Sequence, residues 1–322
     1  MTHSADSRLG AVACLLGAMA CWASIPIFLR FFVSSQGLDP WAVNAVRYSV
    51  AATFWFPMVL VLGRRTREHT GSRAGGCVWR DALVPTAANV VAQATYGLSP
   101  AYASAPTIGF VLRLSFLFTL LFGLMFIHEE RRLVRRPAFL AGAALCLAGV
   151  TALFVEGIAR AGSLSWTGAG VLLLSTVGWG AYAVSVRRFM GGYRARLGFG
   201  VISLYTAGSL VVLALLFGRP SSLAGAAAGV WAAFAISAFL GIALGHVLYY
   251  RGIQRLGPVV SSGLLLATPF LTYAGAAVVL GETLTLVQTL GGVGVVAGGA
   301  LLLAAEASVE PGLPAARPGP PD

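Results

Sequence analysis

Lysine is missing from this sequence: each of its 22 basic residues is arginine. Charge of either sign is scarce, at 10% of 322 residues, where an ordinary soluble domain has about a quarter. A soluble chain of this length could not cover its surface with so few charges, so soluble folds and disordered chains are excluded. Cysteine is equally sparse. Cys14, Cys21, Cys77 and Cys146 form no CxxC pair and have no metal-like histidine spacing, which leaves small apolar packing as their reading. The four histidines, His3, His69, His128 and His246, are scattered over loops and helices. No Ser-His-Asp set, nucleotide loop or HExxH motif is present. A membrane enzyme would need such clusters for acid–base or metal work, so no catalytic residue, cofactor or metal is expected.

What the chain has instead is apolar length. Hydrophobic residues make up 57% of it and the mean hydropathy is +0.82. A helix needs about 20 apolar residues to cross a bilayer, and ten runs qualify: 9–29, 40–62, 82–101, 106–127, 138–155, 166–187, 197–217, 229–250, 259–280 and 284–305. Short strands of alternating polarity, the mark of a porin barrel, do not occur. The expected fold is an all-α membrane protein with ten transmembrane helices. Ala18-Met19-Ala20 before Cys21 imitates a signal cleavage site. Only Arg8 charges the segment ahead of it, and the first run is taken as retained.

The arginines give an orientation. Counting alternate connectors and both termini, seventeen lie on one side: Arg8, Arg317, and the sets in 63–81, 131–136, 187–196 and 251–255. Arg30, Arg160 and Arg219 lie on the other. By the positive-inside rule both termini face the cytoplasm, across a cell (inner or plasma) membrane. The surplus of eleven positive charges is then a topology signal and implies no nucleic-acid partner. The tail 306–322, with five prolines, has nothing to bury and reads as disordered. The loop 66–77 reads as mobile.

The two halves repeat. Trp22-Ala23-Ser24 stands eight residues before Arg30, and Trp179-Gly180-Ala181 eight before Arg187. Gly142 and Gly149 are spaced like Gly292 and Gly299, and Tyr96 precedes Gly109 as Tyr250 precedes Gly263. Helices 1–5 therefore map onto helices 6–10, giving domains 1–155 and 156–305. Five is odd, so the second copy must be inverted in the membrane. Inverted repeats are the architecture of alternating-access carriers, with the site between the copies near the midplane.

With Pro40, Arg47-Tyr48, Tyr249-Tyr250-Arg251-Gly252, Leu256-Gly257, Pro269, Gly281-Glu282 and Gly291-Gly292 added to the tryptophan motifs, the chain resembles the drug/metabolite transporter superfamily. The likeness is to ten-helix carriers with two EamA-type repeats, over about residues 10–304. The first copy departs from the pattern: Arg113 and Ser115 stand opposite Ala267 and Pro269, and His128-Glu129-Glu130 replaces Gly-Glu. The resemblance implies a secondary transporter, with export of amino acids or related solutes as the expected activity. A membrane-embedded enzyme, or a channel without alternating access, is the alternative.

Ionisable residues inside membrane spans are functional candidates because burying them costs so much. There are three: Arg47, Arg113 and His246. The two arginines each lie seven residues into a helix entering from outside, about 10 Å deep at 1.5 Å per residue, and no apolar run holds an acid. A substrate carboxylate or phosphate would supply the counter-ion; snorkelling or bonding to helix-end carbonyls is the competing account. His246, read as near the cytoplasmic end of helix 8, is a proton-relay candidate or a packed histidine. Asn89, Gln93 and Tyr96 share one helix face, as cavity wall or interhelical glue. Trp22, Trp179, Tyr182, Tyr205 and Tyr249 are candidate aromatic lining, with Tyr249 also readable as an interfacial anchor. Gly294 and Gly298 form a GxxxG pair that fits packing within the bundle and leaves a homodimer open. Glu282 reads as a cap for helix 10. Lipid and a small-molecule substrate are the expected partners.

Overall fold

Residues 2–69, 77–103, 105–159, 165–271 and 285–308 are described by the computed structural model, and no strand occurs among them. The described chain runs through α1 (Thr2–Ala23), α2 (Ile25–Arg30), α3 (Pro40–His69), α4 (Val78–Asp81), α5 (Leu83–Leu98), α6 (Ala105–Arg113) and α7 (Ser115–Phe126). It continues through α8 (His128–Val134), α9 (Pro137–Ala159), α10 (Trp166–Met190), α11 (Ala195–Phe217), α12 (Ala228–Ala238), α13 (Gly245–Leu264) and α14 (Leu286–Ala307). Six segments among the described residues are long and apolar enough to cross a membrane, and Arg8–Ala23 is a shorter apolar helix. One of the six, Ala228–Leu271, is 44 residues long, about twice what a single crossing needs. The all-helical reading holds and ten crossings are compatible with these segments. Glu282, the 9–10 turn, most of the loop 66–77 and the tail beyond residue 308 lie outside the described residues.

The breaks follow local chemistry. Within α13, Gly257 has φ +79°, a backbone that glycine adopts without the Cβ clash other residues meet. Pro258 follows it at the first position of a new helix, where its missing N–H costs nothing. Between α12 and α13, residues Phe239–Leu244 form a π-helical turn. α10 begins at Ser165, whose hydroxyl accepts from Gly168 N–H at 3.1 Å. α14 begins with a capping box: Thr285 Oγ1 accepts from Gln288 N–H at 3.2 Å, and Gln288 Oε1 accepts from Thr285 N–H at 3.0 Å.

Packing pairs α9 with α14, α3 with α11, α5 with α10 and α1 with α13. Glycines set the closest of these approaches. A Cβ on Gly142 would stand 2.8 Å from Gly298 O, and one on Gly149 would stand 2.5 Å from Gly291 O. The two contacts run in opposite order along α9 and α14, so the helices are antiparallel. Gly292 and Gly299, which match Gly142 and Gly149 by spacing, face Phe270 and Leu264 instead. The close-approach glycines of α14 are thus Gly291 and Gly298, one residue earlier than the repeat suggests. Gly294 and Gly298 both face α9, and so pack within the bundle. Leu140, Leu173, Val212 and Leu215 are among the large apolar side chains left exposed, as a lipid-facing surface requires.

At the end bearing the arginine-rich connectors, side chains tie the second half to itself and one, Glu130, joins the two halves. Arg187 donates to the carbonyls of Ile253 and Gln254, and Gln254 Nε2 donates to Tyr193 O at 2.8 Å. Glu130 of α8 is 4% exposed, and its Oε1 accepts from Val259 N–H at 3.5 Å, across the Gly257 break. Burial pushes its carboxyl up to about 7; the Val259 bond and the Arg187 charge oppose the shift, while Glu129 and Glu306 add to it.

Candidate substrate cavity

Sequence distance is collapsed at one place in the bundle. A cavity of about 140 Å³, near the size of an engineered cavity (about 150 Å³) that takes up benzene, is lined from both halves of the chain. Trp22, Ile25, Arg47, Gln93, Tyr96 and Arg113 come from the first half; Trp179, His246 and Tyr249 come from the second. Ser115, Thr119 and Ser262 supply hydroxyls, and Gly241, Ile242, Leu112, Leu265 and Leu266 complete the wall.

The break between α6 and α7 places Arg113 at the end of one helix, where its Nη1 donates to Leu265 O at 3.2 Å. Arg113 Nε has no hydrogen-bond partner among the described residues. Arg47 is 3% exposed, and its Nε donates to Ser237 Oγ at 3.3 Å. It does not snorkel; it lies under the π-helical turn, where a Cβ on Gly241 would be 3.2 Å from its Nη2. Both guanidiniums line the cavity, and no described aspartate or glutamate does. The single ion pair between described side chains, Arg8 with Glu306 at 3.4 Å, is elsewhere.

His246 is 2% exposed. The helical segment that starts at Ala228 runs through the π-helical turn and on to Gly257, so His246 lies within it and lines the cavity. Its ring stacks on Phe199 (centroids 4.9 Å, planes 17° apart) and meets Trp22 edge-on at 5.3 Å and Trp179 at 6.0 Å. Its Nδ1 lies 3.1 Å from Gly241 O and 3.2 Å from Ile242 O. Gly241 O also accepts from Trp22 Nε1 at 2.8 Å. Tyr249 is buried and its hydroxyl is 2.8 Å from Ser262 Oγ, so it is no interfacial anchor.

Three sequence candidates stand behind the wall. Asn89 Nδ2 donates to Thr206 Oγ1 at 3.0 Å and to Tyr48 Oη at 3.2 Å, an interhelical bond of the ordinary kind. Tyr182 pairs its hydroxyl with Tyr250 at 2.6 Å, and its ring abuts Trp179 and His246. Tyr205 packs against Trp79. The hydroxyls of Ser115, Thr119 and Ser262 escaped the sequence reading. Ser115 and Thr119 are one turn apart in a run of Phe and Leu, and that spacing was their available signal. Among the described residues no group of three His, Cys, Asp or Glu is placed to hold a metal.

The sequence profile of the EamA-like transporter family matches the chain twice, over residues 9–155 and 166–304. The chain belongs to the EamA-like transporter family. Its two family units are those whose tryptophans, Trp22 and Trp179, both line the cavity. The chain is 28% identical over 152 residues to a Bacillus subtilis (strain 168) protein named Uncharacterized transporter YyaM; the match covers 47% of this chain and half the length of that relative. A solved crystal structure of another protein has the same fold, with a TM-score of 0.72 at 20% identity, over 94% of this chain and 99% of the other.

Proposed function

We propose that this EamA-like transporter is an alternating-access carrier that exports amino acids or related small solutes bearing an acid group. The observation that carries the reading is a cavity lined by Arg47 and Arg113 with no carboxylate among the described residues. A buried charge is tolerated only when paired, and a substrate carboxylate brings the missing partner in a geometry that a guanidinium grips with two parallel bonds. Gln93, Tyr96 and the cavity tryptophans then frame the rest of the solute.

Alternating access is supported by how the helices pair. Numbering the ten expected crossings in chain order, the four most extensive contacts between described helices join 5 with 10, 2 with 7, 3 with 6 and 1 with 8. Exchanging the halves returns the same set, as two inverted five-helix repeats require. Two similar units that rock against one another have nearly equal inward-open and outward-open energies. The arginine distribution supports a multi-pass cell-membrane protein with both termini cytoplasmic.

With no acid inside the spans, exchange or facilitated movement is favoured over ion coupling. The test is transport in proteoliposomes over amino acids, organic acids, sugars and amines. Acid-bearing solutes move, and Arg113→Ala cuts their transport at least about tenfold, the loss of one charge-assisted bond. Unchanged transport in Arg113→Ala sinks the role of that residue. Transport that requires a pH gradient and persists without counter-solute sinks the exchange mode.

A further inference from the structure

On the reading that this cavity is the substrate site, we infer that His246 reads a hydrogen-bond donor on the substrate, so that the site selects acids carrying an amino or hydroxyl group beside the acid. The starting point is the π-helical turn Phe239–Leu244. Such turns interrupt the regular bonding of a helix and recur at functional sites. Here the carbonyls of Gly241 and Ile242 both face His246 Nδ1, at 3.1 and 3.2 Å. A carbonyl oxygen only accepts, so Nδ1 must carry the hydrogen. The Phe199 stack and the Trp22 and Trp179 contacts hold the ring in that orientation.

The other nitrogen is thereby defined. A proton on Nε2 as well would make His246 a third cation beside Arg47 and Arg113, in a described lining with no carboxylate, which Coulomb repulsion opposes. The ring is neutral and Nε2 is a lone-pair acceptor. It is buried and has no hydrogen-bond partner among the described residues, an arrangement that native interiors seldom leave unexplained. His246 lines the cavity, and in this assignment the donor of a bound ligand stands against this nitrogen. Every charged group lining the cavity is a donor; His246 adds an acceptor that a bare acid leaves unused.

Proximity links the two halves of the ligand. Gly241 lies between the Arg47 guanidinium and His246: a Cβ on it would be 3.2 Å from Arg47 Nη2, and its carbonyl faces His246 Nδ1. A molecule small enough for the cavity must present its acid group and its donor close together. Trp22 and Trp179 flank the same spot, and their faces also suit an ammonium.

The experiment uses the full-length protein in proteoliposomes and three acids of one carbon skeleton, bearing 2-amino, 2-hydroxyl or no substituent. Competition gives an apparent Kd for each. The wild type favours at least one donor-bearing acid over the bare acid by about tenfold or more, because a site built around a hydrogen bond rejects a ligand lacking it. Which of the two wins tells ammonium from hydroxyl. His246→Phe brings the ratio toward one, while His246→Gln, with an amide near the Nε2 position, keeps part of it. A wild type with no preference overturns the assignment without any variant being made. So does a His246→Phe protein that keeps the tenfold ratio while Arg113→Ala still weakens all three acids. If no acid binds, or Arg113→Ala leaves binding unchanged, the reading of the cavity itself fails and this assignment falls with it.

Discussion

Arg47 and Arg113 have the same charge and similar depth in the sequence, yet their surroundings differ. Arg47 is buried at 3% exposure against Ser237, while Arg113 keeps an unpartnered Nε and is tied to the Leu265 carbonyl. Replacing Arg113 with lysine keeps the charge and loses the planar fork. Transport of acid-bearing solutes by Arg113→Lys should therefore fall between wild type and Arg113→Ala, and parity with wild type would show that charge alone suffices. At Gly149 the issue is space. A Cβ there would meet Gly291 O at 2.5 Å and Val295 Cγ2 at 2.7 Å. Gly149→Ala should cost about 1–3 kcal/mol as overpacking of a close helix contact. Gly170→Ala, with nothing within 4 Å of the added methyl, should be neutral or slightly stabilising. Thermal unfolding of the detergent-solubilised protein reads both, and equal midpoints for the two variants would refute the close contact.

Among the elements, α8 and the break in α13 form a joint between the halves. Glu130 reaches the first free N–H after Pro258, and a side chain on Gly257 would collide with it, since a Cβ would be 2.6 Å from its Oε1. Its carboxyl is raised to about 7 from an ordinary 4.5, so the native joint holds a proton that an exposed glutamate would release. The sign follows: between about pH 4.5 and 7 the native state binds more protons than the opened one, and stability rises as pH falls through that window. Above pH 7 the buried carboxylate carries its full desolvation cost, on the order of 3 kcal/mol for a shift of this size. Glu130→Gln should remove this contribution, flattening the melting temperature between pH 8 and pH 5 relative to wild type. An unchanged pH profile would show that Glu130 is solvated.

For the whole molecule, orientation and pairing are separate questions. Trp166 opens α10 almost fully exposed, at 95%, on the arginine-poor side, whereas Arg194 precedes α11 on the arginine-rich side. With Cys77 removed, because it is exposed, cysteine placed at position 166 should react with an impermeant thiol reagent in intact cells. Cysteine at position 194 should react only after the membrane is opened. The reverse pattern would overturn the orientation.

Much was legible because it depends on composition and period alone. Low charge, apolar length and the one-sided arginines are properties of single residues facing one of two solvents, lipid or water. The Trp22 and Trp179 motifs declared two related units, which the family profile matches twice. The cavity was legible in part. Arg47, Arg113, Gln93, Tyr96, Trp22, Trp179, His246 and Tyr249 stood out because polar and aromatic groups are conspicuous in apolar runs. Asn89 and Tyr182 stood out for the same reason, and what separates them from the lining is which neighbour reaches them first, Thr206 and Tyr250. Glu130 stood out only as a departure from the Gly-Glu pattern, since a carboxylate in an arginine-rich connector looks solvated until Gly257–Val259 closes over it. The sequence by itself determined the solvent and the period, and gave the proposed orientation, because each residue's transfer energy acts locally. Only the tertiary structure decided which buried groups face a cavity, which nitrogen of His246 is left without a partner, and which glycines touch, because those depend on contacts between residues far apart in the chain.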